Sequence, residues 1–190
     1  MSVRNSLLGC VLSFAVIACV SCGWRKPASV GPNWSIWKLP HPAALEVSDP
    51  AGDTEGPRKV READLKSFSG TYDADYVYFR LEVYAEGSLD GFIGAEYSVS
   101  VDANGNDVID AGDYTLFWNS SKSFTVKDAN DRLVRPGKLN FYCKHGLGGG
   151  LYFALPRGAV SSEGFNVQAQ SLSRGTRDSI PSAPARFKFE

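Results

Sequence analysis

The chain has 190 residues, a formal net charge of −1, 12% aromatic residues and four cysteines. That charge balance leaves no nucleic-acid footprint and no polybasic patch for an anionic membrane surface. Four cysteines with no CxxC pair and no zinc spacing exclude a disulfide scaffold and a zinc module.

The first predicted element is an export signal over residues 1–18. Arg4 supplies its positive charge, and Leu7–Val20 is an apolar run too short to span a bilayer comfortably. VIAC, Val16–Cys19, resembles a bacterial lipobox, which implies a diacylglyceryl group on Cys19. Cys22, in CVSC, is the second candidate acceptor, although Cys19 then occupies the usual Leu position. Cleavage near Ser21 or Gly23 by an ordinary secretory route is the alternative. A lipid would hold the folded domain at a membrane without a spanning helix. Neither cysteine is followed by Asp, the residue that retains many Gram-negative lipoproteins at the inner membrane, so the resemblance implies the outer membrane or cell surface.

Residues 19–42 read as a tether, because Gly23–Pro42, GWRKPASVGPNWSIWKLPHP, is rich in Pro, Gly and Ser. It ends in a candidate first strand at Trp34–Leu39. Trp34 and Trp37 read as covers for an open edge of the core, with a ligand platform as the alternative. Of the cysteines only Cys143 falls in the globular part. It reads as a free buried thiol rather than a partner of Cys22.

Residues 43–190 read as one β domain, long enough to bury a substantial core. Strands are predicted at Ala44–Val47, Ala63–Thr71 and Tyr76–Tyr84, the last two as a hairpin around Asp73–Ala74–Asp75. The next pair is Tyr97–Val101 and Tyr114–Trp118. Further strands are expected at Ser123–Val126, Leu133–Arg135, Leu139–Cys143, Leu151–Leu155, Phe165–Leu172 and Ala185–Phe189. About ten short strands separated by turns predict an all-β protein, an antiparallel sandwich of jelly-roll or immunoglobulin-like type.

Between the central pair lies DANGNDVIDAGD, with oxygen side chains at loop positions one, three, five, nine and twelve: Asp102, Asn104, Asn106, Asp110 and Asp113. Val108 would add its carbonyl at position seven. Calcium takes about 6–8 oxygen ligands, and a twelve-residue loop with this spacing can wrap it. Position six is Asp107 rather than Gly, position twelve is Asp rather than Glu, and Gly105 stands one place early for the turn. The string DANGNDVIDAGDYTL resembles the calcium loop of dockerin repeats, but strands flank it and only one copy occurs. The competing reading is an Asx-rich turn that binds nothing.

The order DPAGD, DADYVYFRLEVY, YSVSVDANGNDVIDAGDY, FNVQAQSL and RDSIP resembles bacterial extracellular β-sandwich domains grouped with DOMON and family 9 carbohydrate-binding modules. The resemblance implies a ligand-binding or structural module, often calcium-stabilised, sometimes binding sugars or haem. The haem branch uses Met and His, and Met1, the only methionine, leaves with the export signal.

The best candidate for a sugar contact is the outer face of the third strand, where Tyr78, Arg80, Glu82 and Tyr84 combine rings with hydrogen-bonding groups. The same residues would also suit a face packed under a loop. Catalysis has little to stand on: there is no G-x-S-x-G elbow, and the histidines are His41 and His145. Cys143 and His145 share a strand face without an orienting third group. Glu82, Glu86, Asp90 and Glu96 offer carboxylates for a glycosidase pair that sequence cannot place. The expectation is an exported, lipid-anchored, calcium-stabilised sandwich that binds carbohydrate and is not an enzyme. The alternatives are an envelope lipoprotein that binds another protein and, third, a hydrolase.

Overall fold

Alternation of apolar and polar side chains sets the architecture, because each strand so patterned must bury one face against something. A computed structural model describes residues 31–38, 43–85, 94–108, 110–121, 123–134, 140–145 and 150–189. The export signal, both lipid-acceptor cysteines and the tether up to residue 30 lie outside the described residues, as do His41, Glu86 and Asp90.

Ten strands are described: β1 Leu45–Ser48, β2 Leu65–Tyr72, β3 Tyr76–Val83, β4 Glu96–Asp102, β5 Tyr114–Asn119, β6 Phe124–Asp128, β7 Tyr142–His145, β8 Gly150–Pro156, β9 Phe165–Ser173 and β10 Thr176–Phe187. They form two five-stranded antiparallel sheets, β1-β2-β3-β8-β7 and β10-β9-β4-β5-β6. This is the all-β antiparallel sandwich expected, and it forms a single unit from Pro32 onward.

The inward faces supply the core. Val77, Phe79, Leu81 and Val83 of β3 are buried with Leu151, Phe153 and Leu155 of β8. Opposite them lie Tyr97, Val99 and Val101 of β4, Leu116 and Trp118 of β5, and Phe165, Val167 and Ala169 of β9. Phe165 stacks on Phe187 at 4.9 Å between ring centroids, and Phe79 meets Phe187 edge-on at 6.0 Å. Such pairs add about 0.5–1.5 kcal/mol beyond the area they bury. Gly70 of β2 makes room for them, since a Cβ there would lie 2.7 Å from the Phe187 ring.

Three expected strands differ. Trp34–Leu39 is not a strand: Trp34–Lys38 is a turn of 3-10 helix. Asn33 starts it, its side-chain oxygen accepting from the Ser35 amide and its carbonyl from the Ile36 amide. Three residues per turn then place Trp34 and Trp37 on one side, where both meet Tyr152. The last strand begins at Thr176 rather than Ala185. Pro181 and Pro184 look like breakers in sequence, yet β10 is a sheet edge whose ladder to β9 is interrupted between Ile180 and Ala185. Prolines are tolerated at such places. Leu133 contributes only an isolated bridge to Lys127.

Candidate functional site

A cleft of about 620 Å³ lies on the second sheet, between its outer face and the segment that follows β1. Its floor is built by register. Ser98 of β4 stands opposite Phe117 of β5 on one side and Gln170 of β9 on the other, and Gln170 stands opposite Ser179 of β10. The next row sets Glu96 opposite Leu172, and Leu172 opposite Arg177. Hydroxyl, amide, carboxylate and guanidinium groups therefore share the cleft with one half-buried aromatic ring. The Lys127 ammonium sits 5.5 Å from the centre of the Phe117 ring, a cation–π contact that orients it.

One wall of the cleft is acidic, formed by Asp49, Asp53, Glu55 and Asp178. This wall is fastened to the second sheet by bonds over long sequence separations. Leu65 donates its amide to Asp178 Oδ2 at 2.7 Å, and Glu55 and Arg177 exchange backbone bonds at 2.9 and 2.7 Å. The Tyr97 hydroxyl donates to the Glu62 carbonyl at 2.6 Å, and the Ser171 hydroxyl donates to the Ala63 carbonyl. Burial, reinforced by Asp178, Asp53 and Asp64, pushes the Asp49 carboxyl up to about 6. Burial also raises Asp64 and Asp178, against the amides that donate to them.

The loop Asp102–Asp113 is closed by its own backbone. Asp102 Oδ1 accepts from the Gly105 and Asn106 amides, and its Oδ2 accepts from Asp107 at 2.8 Å. Asp113 Oδ1 accepts from Ala103 and Asn104, and its Oδ2 from Asp110 at 2.6 Å. The side-chain amides of Asn104 and Asn106 both donate to Asp110. Asp107 turns away toward Arg186 at 3.2 Å and Asn166 at 2.7 Å, with its backbone at φ 70°. The Val108 side chain is exposed. The oxygen donors suit a hard cation in type, but Asp102, Asp110 and Asp113 do not bring one oxygen each within 4.8 Å of one another; among the described residues that convergence belongs to Asp49, Asp53 and Asp178.

Tyr78, Arg80 and Glu82 lie on the other sheet and do not line the cleft, and Tyr84 follows them in sequence. Tyr78 is fully buried, 6.0 Å edge-on from Trp34, and its hydroxyl donates to Asp73 Oδ2 at 2.6 Å while accepting from the Asn33 amide. Burial and that carboxylate raise its ionisation well above the ordinary tyrosine value. Arg80 and Glu82 pair with each other, and Tyr84 donates to the Asp49 carbonyl at 2.7 Å. Cys143 is a free thiol packed on the core, pushed up to about 12 by burial, and the His145 ring lies 6.0 Å from that of Trp118. Sequence reading passed over Ser98, Phe117 and Gln170. Their signal was present in the alternation, Ser98 and Gln170 in its polar half and Phe117 between the inward-facing Leu116 and Trp118.

No protein-family model matches the sequence, and no curated protein matches it. Among solved structures it is similar to a family 9 carbohydrate-binding module from Caldicellulosiruptor kristjanssonii in complex with cellotriose. The TM-score is 0.43 and the identity 15%, over 63% of this chain and 62% of that one. The chain thus spans under two thirds of that module's length.

Proposed function

We propose that this protein is a non-catalytic carbohydrate-binding module whose ligand occupies the cleft on the second sheet. The observation that carries the reading is the cleft itself, about 620 Å³ of space with hydroxyl, amide and charged groups converging beside Phe117. Ligand sites commonly span about 300–1,000 Å³ and combine apolar surface with a few placed polar groups. A sugar offers the complement: an apolar ring face for Phe117, and hydroxyls for Ser98, Gln170, Glu96 and Arg177. All of these stand on strands, so the site needs little ordering on binding.

In the same reading the chain is exported and anchored by lipid at Cys19, with Cys22 as the alternative acceptor, at the outer membrane or cell surface. Calcium is held by Asp102, Asn104, Asn106, the Val108 carbonyl, Asp110 and Asp113. It would have to share carboxylates that already accept amide bonds, and the asparagine amides would have to turn their oxygens inward. Labelling with a fatty-acid analogue tests the anchor: Cys19→Ala should remove the label, and a label lost only in Cys22→Ala would move the anchor there.

The sugar reading is tested by a glycan array with the wild type, Phe117→Ala and Gln170→Ala. Binding that is saturable in the wild type and lost in both variants is expected. Glycan binding that survives both substitutions would place the ligand elsewhere, and no glycan binding by the wild type would overturn the reading.

A further inference from the structure

We propose that Asp49, Asp53 and Asp178, backed by Asp64, form a divalent-cation site on the acidic wall of the cleft, separate from the Asp102–Asp113 loop. One oxygen from each of the first three lies within 4.8 Å of the others. Calcium holds its oxygens at about 2.3–2.6 Å, so opposed ligands stand about 5 Å apart and the three fit inside one coordination shell.

Two oxygens show what is missing. Asp64 is 6% exposed and spends Oδ2 on the Gly52 amide at 2.9 Å, but its Oδ1 is buried with no partner. Asp49 Oδ2 is likewise buried without a partner. A buried charged oxygen left unpaired is costly, and three carboxylates converging within 4.8 Å compound that cost. Lys59, one of three cations on the same segment with Arg58 and Arg61, donates its ammonium to the carbonyls of Gly52 and Thr54. A divalent ion supplies the countercharge and the ligand partner at once.

The donor set decides the class of ion. Only carboxylates converge here, without His or Cys, so the site suits a hard cation such as calcium rather than zinc or copper. Asp178 already accepts from Leu65 and Ser179, which fixes its orientation, and each oxygen keeps a lone pair for a metal. All three ligands line the cleft, so water would complete the shell on the open side. The proposal stands on its own, whether or not a sugar enters the cleft.

The test is calorimetric titration of calcium chloride into the chelator-stripped full chain, as wild type, Asp53→Asn, Asp49→Asn/Asp53→Asn and Asp102→Ala. Asp53 is exposed, so Asp53→Asn keeps the experiment interpretable if the double variant does not fold. The wild type should bind calcium, and Asp53→Asn should weaken one class of site by at least about tenfold, the loss seen even for outer-shell partners. That class should survive in Asp102→Ala. Equal stoichiometry and affinity in the wild type and Asp53→Asn would overturn the proposal, as would loss of all binding in Asp102→Ala, or a wild type that binds no calcium.

Discussion

The Leu65 amide donates to the Asp178 carboxylate at 2.7 Å, joining the two sheets across 113 positions of sequence. Asp178 also accepts from its neighbour Ser179. Asp178→Ala leaves the buried Leu65 amide without its acceptor, at a cost of about 1–3 kcal/mol. For a domain of this size that lowers Tm by about 2–12 °C. Asp178→Asn keeps an acceptor oxygen and should lose less. Thermal unfolding followed by circular dichroism checks the order of the three proteins, and an unchanged Tm for Asp178→Ala would contradict it.

Gly70 faces Phe187 so closely that a methyl group has no space. Gly70→Ala should destabilise by about 1–3 kcal/mol through overpacking. Pairing it with Phe187→Leu should recover part of that loss, because the two side chains compete for one volume. Denaturant unfolding of the single and double variants measures the coupling. Strict additivity would mean the strain is relieved somewhere other than at Phe187.

The loop makes a separate prediction. If calcium occupies Asp102–Asp113, binding at a hundredfold excess over Kd stabilises by about 2.7 kcal/mol. That raises Tm by about 5–11 °C over the chelated protein. Asp102→Ala and Asp113→Ala should lose most of this increment, and Asp107→Ala much less, since Asp107 faces Arg186 and Asn166. An Asp107→Ala loss equal to that of Asp102→Ala would contradict the assignment of ligands.

The sandwich was legible because its signal is local. In β3, Val77, Phe79, Leu81 and Val83 alternate with Tyr76, Tyr78, Arg80 and Glu82, and the structure buries the first set between the sheets. The Asp73 turn was legible for the same reason, its side chain accepting from the Asp75 and Tyr76 amides. What covers Tyr78 was less so. Trp34–Lys38 carries strand-like residues, and the Asn33 cap together with contacts to Tyr78 and Tyr152 stabilises a 3-10 turn instead. The acidic wall was invisible, because Asp49 and Asp178 come from opposite ends of the domain and no short-range pattern links them. DPAGD read as a turn, and RDSIP as part of a family pattern. Their convergence depends on long-range contacts, the bridge between Glu55 and Arg177 and the Leu65 amide on Asp178.

Asp49 gives the metal-free protein a definite pH dependence. Its folded carboxyl titrates at about 6, above its ordinary value, so between the two the folded state binds more protons than the unfolded state. Stability from this group is therefore full at low pH and lost as pH rises through about 6. In chelator-treated protein, Asp49→Asn should melt higher than the wild type at pH 7.5, and the gap should shrink as pH falls below about 6 and close only below the ordinary value of 3.8. Asp53, Asp64 and Asp178 face Asp49, with Lys59 and Arg61 near Asp64, so the comparison is made against the wild type at each pH. A gap that widens on acidification would contradict the direction.

The central claim is that a carbohydrate lies on the outer face of the second sheet. Backbone amide chemical shifts, followed while a glycan identified on the array is titrated into the chain, test it most directly. The account predicts saturable shifts at Ser98, Phe117 and Gln170, with Tyr78, Trp34 and Tyr152 undisturbed. Shifts concentrated around Trp34 and Tyr152, with the second sheet silent, would contradict it.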